Sequence, residues 1–208
     1  MNKSSTIQLI LDIFVAIGTV AVAVLAIWGE WFRDKLASPK LSLQLRDTKG
    51  HLTSLQNGQK IIYYHLVVNN KRKWAMARGV QVMLTGYWQQ AADSTFKPVS
   101  LASELPLTWT FPQFSPLTPN ISEQKNCDLG HLSENENQFT PECYFFPTNF
   151  TGFVTPNSTI RYSIRVIAEN FTYGKPMLIE VSWDGKWSTD MTEMERHLVV
   201  KEIKEEKN

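Results

Sequence analysis

Residues 7 to 28, IQLILDIFVAIGTVAVAVLAIW, form the only long apolar run in the chain, and that run restricts the backbone more than any other feature. At about 1.5 Å per residue, a helix of this length covers roughly the 30 Å hydrocarbon core of a bilayer. Its many β-branched residues do not argue for a strand. In lipid every backbone N–H needs an internal partner, and one isolated segment supplies that only as a helix. A transmembrane helix is therefore predicted over 7–28, with Asp12 as its one charge, close to the N-terminal end. Trp28, Trp31 and Phe32 at the far end suit an aromatic belt at the headgroups. A cleaved signal peptide is the rival reading, with Ala21-Val22-Ala23 as a conceivable cleavage site. Against it, the apolar run continues to Trp28, and only Lys3 supplies a basic side chain before it.

Flanking cations give the direction. Lys3 precedes the helix; Arg33, Lys35, Lys40 and Arg46 follow it. The excess of Lys and Arg on the C-terminal side places that side in the cytoplasm, at the cell membrane. Within the helix, Asp12, Ala16, Thr19, Ala23, Ala26 and Glu30 fall on one stripe at alternating four- and three-residue steps. Small residues on a stripe let two helices approach closely, so Ala16, Thr19, Ala23 and Ala26 are a candidate packing face for a homo-oligomer. A plain anchor is the simpler reading, since Ala and Gly are common in membrane helices.

The rest of the chain divides as follows: a short tail over 1–6, a juxtamembrane linker over 29–39, a β domain over 40–203 and a charged tail over 204–208. Ser38-Pro39 closes the linker, because a residue before proline avoids the α region. Alternation of apolar and polar residues then predicts strands. KLSLQLR over 40–46 places Leu41, Leu43 and Leu45 on one face. KIIYYHLVVN over 60–69 is apolar on both faces and is expected to be central. RGVQVMLTGYW over 78–88 places Val80, Val82, Leu84 and Trp88 together, and TIRYSIRVIA over 159–168 alternates cleanly. Asp184-Gly185, between Trp183 and Trp187, predicts a two-residue hairpin after a strand at 177–183. A helical turn at 190–195 and a last strand or helix at 197–203 close the domain. The proline-rich stretch 112–141 lacks periodicity and is expected to be a loop-rich insertion. Antiparallel strands without a βαβ rhythm imply a mainly-β domain, an immunoglobulin-like antiparallel β-sandwich.

The order of an anchor ending AVLAIWGEW, then PKLSLQL, YYHLVVNN and a late WDGKW resembles uncharacterised bacterial single-pass membrane proteins with a β-sandwich domain. The resemblance implies that architecture and no activity.

Charge and motifs narrow the function classes. With 21 basic and 20 acidic residues the net charge is +1, which offers no footprint for nucleic acid. No G-x-S-x-G, H-E-x-x-H, P-loop or dinucleotide fingerprint occurs, and no cofactor or enzymatic activity is expected. Cys127 and Cys143 would form a disulfide only in an exported domain. Asn-x-Ser/Thr triplets at Asn120, Asn149, Asn157 and Asn170 are read as incidental under the inferred direction. Cys127, His131 and Cys143, with Asp128 and Glu142, lack the tight cysteine spacing of a zinc site, so no metal is expected. His65, mid-strand among apolar residues, is read as a satisfied structural histidine. Asp184, Asp190, Glu193 and Glu195 are read as turn and cap residues. Lys71-Arg72-Lys73-Trp74, with Arg78, is the densest basic patch and a candidate site for anionic lipid or an anionic ligand, although such a loop is more often simply solvated.

Three functions follow. The first is a membrane-anchored sandwich that binds a protein, lipid or small anionic ligand. The second is an oligomeric membrane effector whose domain acts on the transmembrane helices. The third is an exported envelope domain with one disulfide.

Overall fold

The computed structural model describes residues 3–171 and 174–203. The side chains of residues 3–6, 30–36 and 114 and the tail at 204–208 fall outside the described residues, and with them the expectations placed on Lys3, Glu30, Trp31, Phe32, Arg33 and Lys35. The chain forms two compact units, Met1–Ser38 and Pro39–Asn208.

The first unit is one helix, α1, Lys3–Ala37. Its segment Ile7–Gly29 is long and apolar enough to cross a membrane, and none of it is buried in the protein. Helix continues to Ala37, so the linker expected over 29–39 is corrected to little more than Ser38-Pro39. The reason is local. Gly29 alone costs a helix only about 1 kcal/mol, and the next breaker is the restriction that Pro39 imposes on Ser38. Ala16, Thr19, Ala23 and Ala26 are all exposed on α1. The Thr19 hydroxyl already donates to the Val15 carbonyl of its own helix, at 2.8 Å.

The second unit is a two-sheet β domain in which every strand pair is antiparallel. The first sheet is built on β3 (Lys60–Asn70). Along one edge β3 pairs with β1 (Leu41–Leu45) and β2 (His51–Ser54), which occupy its two halves in turn. Along the other edge it pairs with β7 (Gln124–Ser133), followed by the short β8 (Thr140–Pro141). The second sheet runs β11 (Leu198–Ile203), β10 (Met177–Trp183), β9 (Ser158–Ile167), β4 (Gln81–Gln90), with β5 (Phe96–Val99) and β6 (Leu105–Pro106) sharing the outer edge of β4. One core cluster joins both sheets, with Tyr64, Trp109, Phe139 and Tyr162 almost fully buried.

Three details correct the sequence reading. The stretch 112–141 is not a loop-rich insertion throughout, because β7 lies inside it as the long partner of β3. Its run of Gln, Lys, Asn, Cys and Asp hides the alternation. In β4 a bulge at Thr85 shifts the register, so Tyr87 and not Trp88 follows Val80, Val82 and Leu84 into the core. Asp184-Gly185 makes a local turn, with Gly185 at φ +89°, but no tight hairpin. Asp190 caps a short helix, α2 (Met191–His197), accepting from the amides of Thr192 and Glu193, and only then does β11 return to pair Leu198 with Trp183.

The segment after β6 crosses between the sheets. The Leu107 amide donates to the Val82 carbonyl of β4, at 2.8 Å. Three residues later, the Thr110 amide donates to the Asn126 carbonyl of β7, at 3.2 Å. This crossing carries Thr108, Thr110 and Phe111 to the outer face of the first sheet.

Candidate functional site

Alternation along β3 sends Ile62, Tyr64, Leu66 and Val68 into the core, which leaves Tyr63 and His65 on the outer face. What lies opposite them is decided by a bulge in β7. Tyr63 pairs with His131 and Tyr64 with Gly130, but His65 pairs with Asp128, so Leu129 is the extra residue. Without it, Leu129 would face His65. With it, Leu129 is buried in the core and a carboxylate stands across from the imidazole. Gly130 is required at this point. A Cβ there would lie 2.5 Å from Cζ of Phe139 and 2.6 Å from the Thr140 carbonyl oxygen.

Two histidine–carboxylate pairs result, one on each side of Tyr63. His65 Nδ1 lies 2.7 Å from Asp128 Oδ1, and the Thr110 hydroxyl donates to the same oxygen. His131 Nδ1 meets Glu142, and its Nε2 lies 3.4 Å from Glu136. The Tyr63 ring is nearly parallel to that of His65, with 6.3 Å between centroids and 13° between planes, and it lies 5.5 Å from His131. Among the described residues, His65 Nε2 has no protein partner.

Tyr63, His65, Asp128, Thr110 and Glu142 floor a cleft of about 640 Å3 between β2, β3, β7 and the crossing segment, with His131 behind Glu142 and outside the lining. The carboxylates of Asp47, Asp128 and Glu142 line it against the single guanidinium of Arg46. Burial, then the charges of Glu142, Asp128 and Glu136, push the Tyr63 phenol above its ordinary value. Burial is the largest influence on His131 and lowers its pKa, but the Glu142 hydrogen bond and charge, with Glu136 adding, outweigh it and hold the imidazole above its usual range.

Phe111 forms the rim. It is 64 % exposed and sits in the left-handed region, at φ 58° and ψ 65°, just before the short 3-10 helix Pro112–Phe114. That conformation costs a non-glycine residue roughly 1–2 kcal/mol, and a residue before proline is normally extended. Hydrogen bonds on both sides impose it: Thr110 to Asn126, and Trp109 Nε1 to the Leu117 carbonyl at 3.1 Å.

The residues singled out from sequence have different placements. Lys71 and Lys73 line a second hollow, of about 370 Å3, together with the acid Glu123 and the polar Ser42, Gln44, Asn69, Asn70 and Gln124; Arg78 does not line it. Lys73 pairs with Glu123 at 3.1 Å. Cys127 points into the core, where its thiol donates to the Thr108 carbonyl, and both cysteines are free thiols. Of Cys127, His131, Cys143, Asp128 and Glu142, only His131 and Glu142 are paired through their side chains, and among the described residues no three His, Cys, Asp or Glu side chains gather as a metal site. Asp190 is the cap described above; Asp184 accepts from the Lys186 amide and holds His197 at 2.8 Å. Glu193 accepts from the Ser188 hydroxyl, and Glu195 from that of Thr48. Sequence reasoning missed Tyr63, Phe111 and the pairing of His65. The outward position of Tyr63 and His65 is legible in the two-residue period of β3; the bulge and the strained Phe111 leave no comparable mark.

No family model and no curated protein matches the chain. Among solved structures, one described as the ApaA protein of Bordetella pertussis aligns over 70% of this chain and 94% of its own, at 8% identity and a TM-score of 0.25. A likeness of that degree assigns neither fold family nor function.

Proposed function

We propose that this protein is a single-pass, membrane-anchored binding module whose outer-sheet cleft holds a small polyhydroxylated ligand, a sugar ring. The β domain is taken as an immunoglobulin-like sandwich, on the cytoplasmic side according to the cations that follow the anchor. The observation that carries the reading is the cleft floor, where Tyr63 and His65 lie side by side with carboxylates at both ends. Flat aromatic faces suit the apolar face of a sugar. Asp128, Glu142, Asn126 and Arg46 supply the mixed acceptors and donors that hydroxyl groups need. Three carboxylates against one guanidinium disfavour an anionic guest here. In this reading the carboxylates hold both imidazoles and the Thr110 hydroxyl in place around the floor of a binding cleft.

The test is saturation-transfer NMR on the full chain in detergent with a panel of mono- and oligosaccharides. At least one is expected to receive saturation. Phe111→Gly, which relieves the left-handed strain, should keep the fold and weaken that ligand. Asp128→Asn removes a hydrogen bond to a charged group and should weaken it by roughly 10- to 100-fold. Transfer to no saccharide, or transfer that ignores both substitutions, refutes the reading.

A further inference from the structure

The turn that follows β3 reverses the usual economy of a surface loop. It buries two small residues, Ala75 and Ala77, and exposes two large apolar ones, Trp74 at 77 % and Met76 at 45 %. Flexibility is not the cause, because Asn70 locks the turn from inside. The Asn70 side chain is buried and donates to the carbonyls of Ala75, at 2.6 Å, and Ile121, at 3.3 Å. Its oxygen accepts from the amides of Arg72, at 3.1 Å, and Lys40, at 3.2 Å. A prepaid conformation that holds an indole in water is one that awaits another apolar phase.

Charge indicates which phase. Lys71 and Lys73, on the same turn, line the hollow beside it with the polar Ser42, Gln44 and Gln124 and a single acid, Glu123, so that donors suited to a phosphate group outnumber the one carboxylate. Lys73 is paired with Glu123, but both side chains are well exposed, and such a pair exchanges readily for another anion. A tryptophan next to a run of basic residues is the composition of a membrane interface, where the indole sits at headgroup level.

Connectivity supplies the third argument. Lys40 bonds to this turn through both its amide and its carbonyl, which accepts from the Lys71 amide at 2.9 Å. Lys40 also stands only eleven positions after Gly29, the end of the membrane-spanning segment. At no more than about 3.5 Å per residue, the chain itself confines the turn to within roughly 40 Å of a bilayer surface. A patch tethered within that reach needs little intrinsic affinity to engage the surface. We infer that the 70–77 turn docks on an anionic phospholipid leaflet, with Trp74 and Met76 entering the headgroup layer and Lys71 and Lys73 taking lipid phosphate.

The test uses the full chain in nanodiscs of phosphatidylcholine, with or without phosphatidylserine, made from plain or brominated lipid. Emission from Trp74 is obtained as the difference between wild type and Trp74→Phe, which leaves the Asn70 bonds in place. Brominated lipid should at least halve that emission in the serine-containing discs. In phosphatidylcholine alone, or in Lys71→Gln/Lys73→Gln, the quenching should fall severalfold, since each lysine is worth roughly fivefold in partition to an anionic surface. Unfolding midpoints matching wild type confirm that both variants are folded. A Trp74 emission indifferent to bromine overturns the inference, as does quenching that is equal in both lipids and unchanged by loss of the lysines.

Discussion

Replacing Gly130 by alanine adds one methyl group at the most crowded point of the first sheet. That carbon would lie 2.5 and 2.7 Å from Cζ and Cε1 of Phe139, and 2.6 Å from the Thr140 carbonyl oxygen. Carbon atoms rest about 3.5–4.0 Å apart, so roughly 1 Å of room must be made. The ring cannot supply it. Phe139 is fully buried, stands edge-on to Tyr64 at 6.0 Å, and exchanges both backbone hydrogen bonds with Val154. A shift of the backbone instead moves β8 and, beyond it, Glu142 away from His131. Overpacking of this kind costs about 1–3 kcal/mol, and a clash with both ring and backbone belongs at the upper end. For a β domain of this size, a loss of 2–3 kcal/mol lowers the unfolding temperature by roughly 5–10 °C. The assay is thermal unfolding of the full chain in detergent, followed by tryptophan emission. Phe139→Leu removes the ring but not the carbonyl, so the double variant should recover part of the loss, with a coupling of about 1–2 kcal/mol. A Gly130→Ala protein within about 0.5 kcal/mol of wild type, or strict additivity with Phe139→Leu, refutes the packing argument.

Two further outcomes follow from the ionisable groups. The folded-state pKa of His131 is raised above its ordinary 6.5, so its pair with Glu142 contributes stability that is complete below that value and is lost as pH rises through the raised one. Glu142→Gln should therefore be less stable than wild type near pH 6 and converge with it by about pH 9; an equal difference at both refutes the pairing. Burial, with the Asp128 charge adding, pushes the Cys127 thiol well above its usual value, and burial, with Glu142 adding, pushes Cys143 up to about 12. At neutral pH this cuts the thiolate of Cys143 by about a thousandfold, so a disulfide reagent should titrate both thiols only after denaturation. Prompt reaction of either in the folded protein counts against the buried environment.

The sequence carries the architecture at the level of pattern. Hydropathy places the helix, because lipid leaves a lone segment no alternative to it. Period-two alternation finds β1, β4 and β9, because each buries one face against the other sheet, and a run of β-branched and aromatic residues finds the central β3. The reading fails where the pattern is interrupted for a structural purpose. Trp88 leaves the core because Thr85 bulges out and bonds to Ser163, whose hydroxyl lies 2.8 Å away. β7 is invisible because its outward residues are Asn126, Asp128 and His131, its inward set includes a cysteine and a glycine, and its bulge breaks the alternation midway. The same disguise hides the cleft. A strand that reads as a loop cannot be seen to place Asp128 opposite His65. Phe111 is obscured further, since Pro112 argues for an extended backbone that the hydrogen bonds of Thr110 and Trp109 override.

The cleft and the lysine-bearing turn belong to one strand, and this constrains how the two proposals relate. Tyr63 and His65 lie near the middle of β3, and Asn70 ends it. Between them β3 is paired without interruption on both edges, from Leu66 to Asn69, with β1 and with β7. A ladder closed on both sides offers no hinge, so the two sites move as one body. At about 3.3 Å per residue, Tyr63 stands roughly 20–25 Å along the strand from the turn. If the turn docks as proposed, this rigid strand sets the distance of the cleft from the lipid. The two proposals are thus coupled through β3: with the turn docked, a ligand in the cleft would be met at a set height above the membrane.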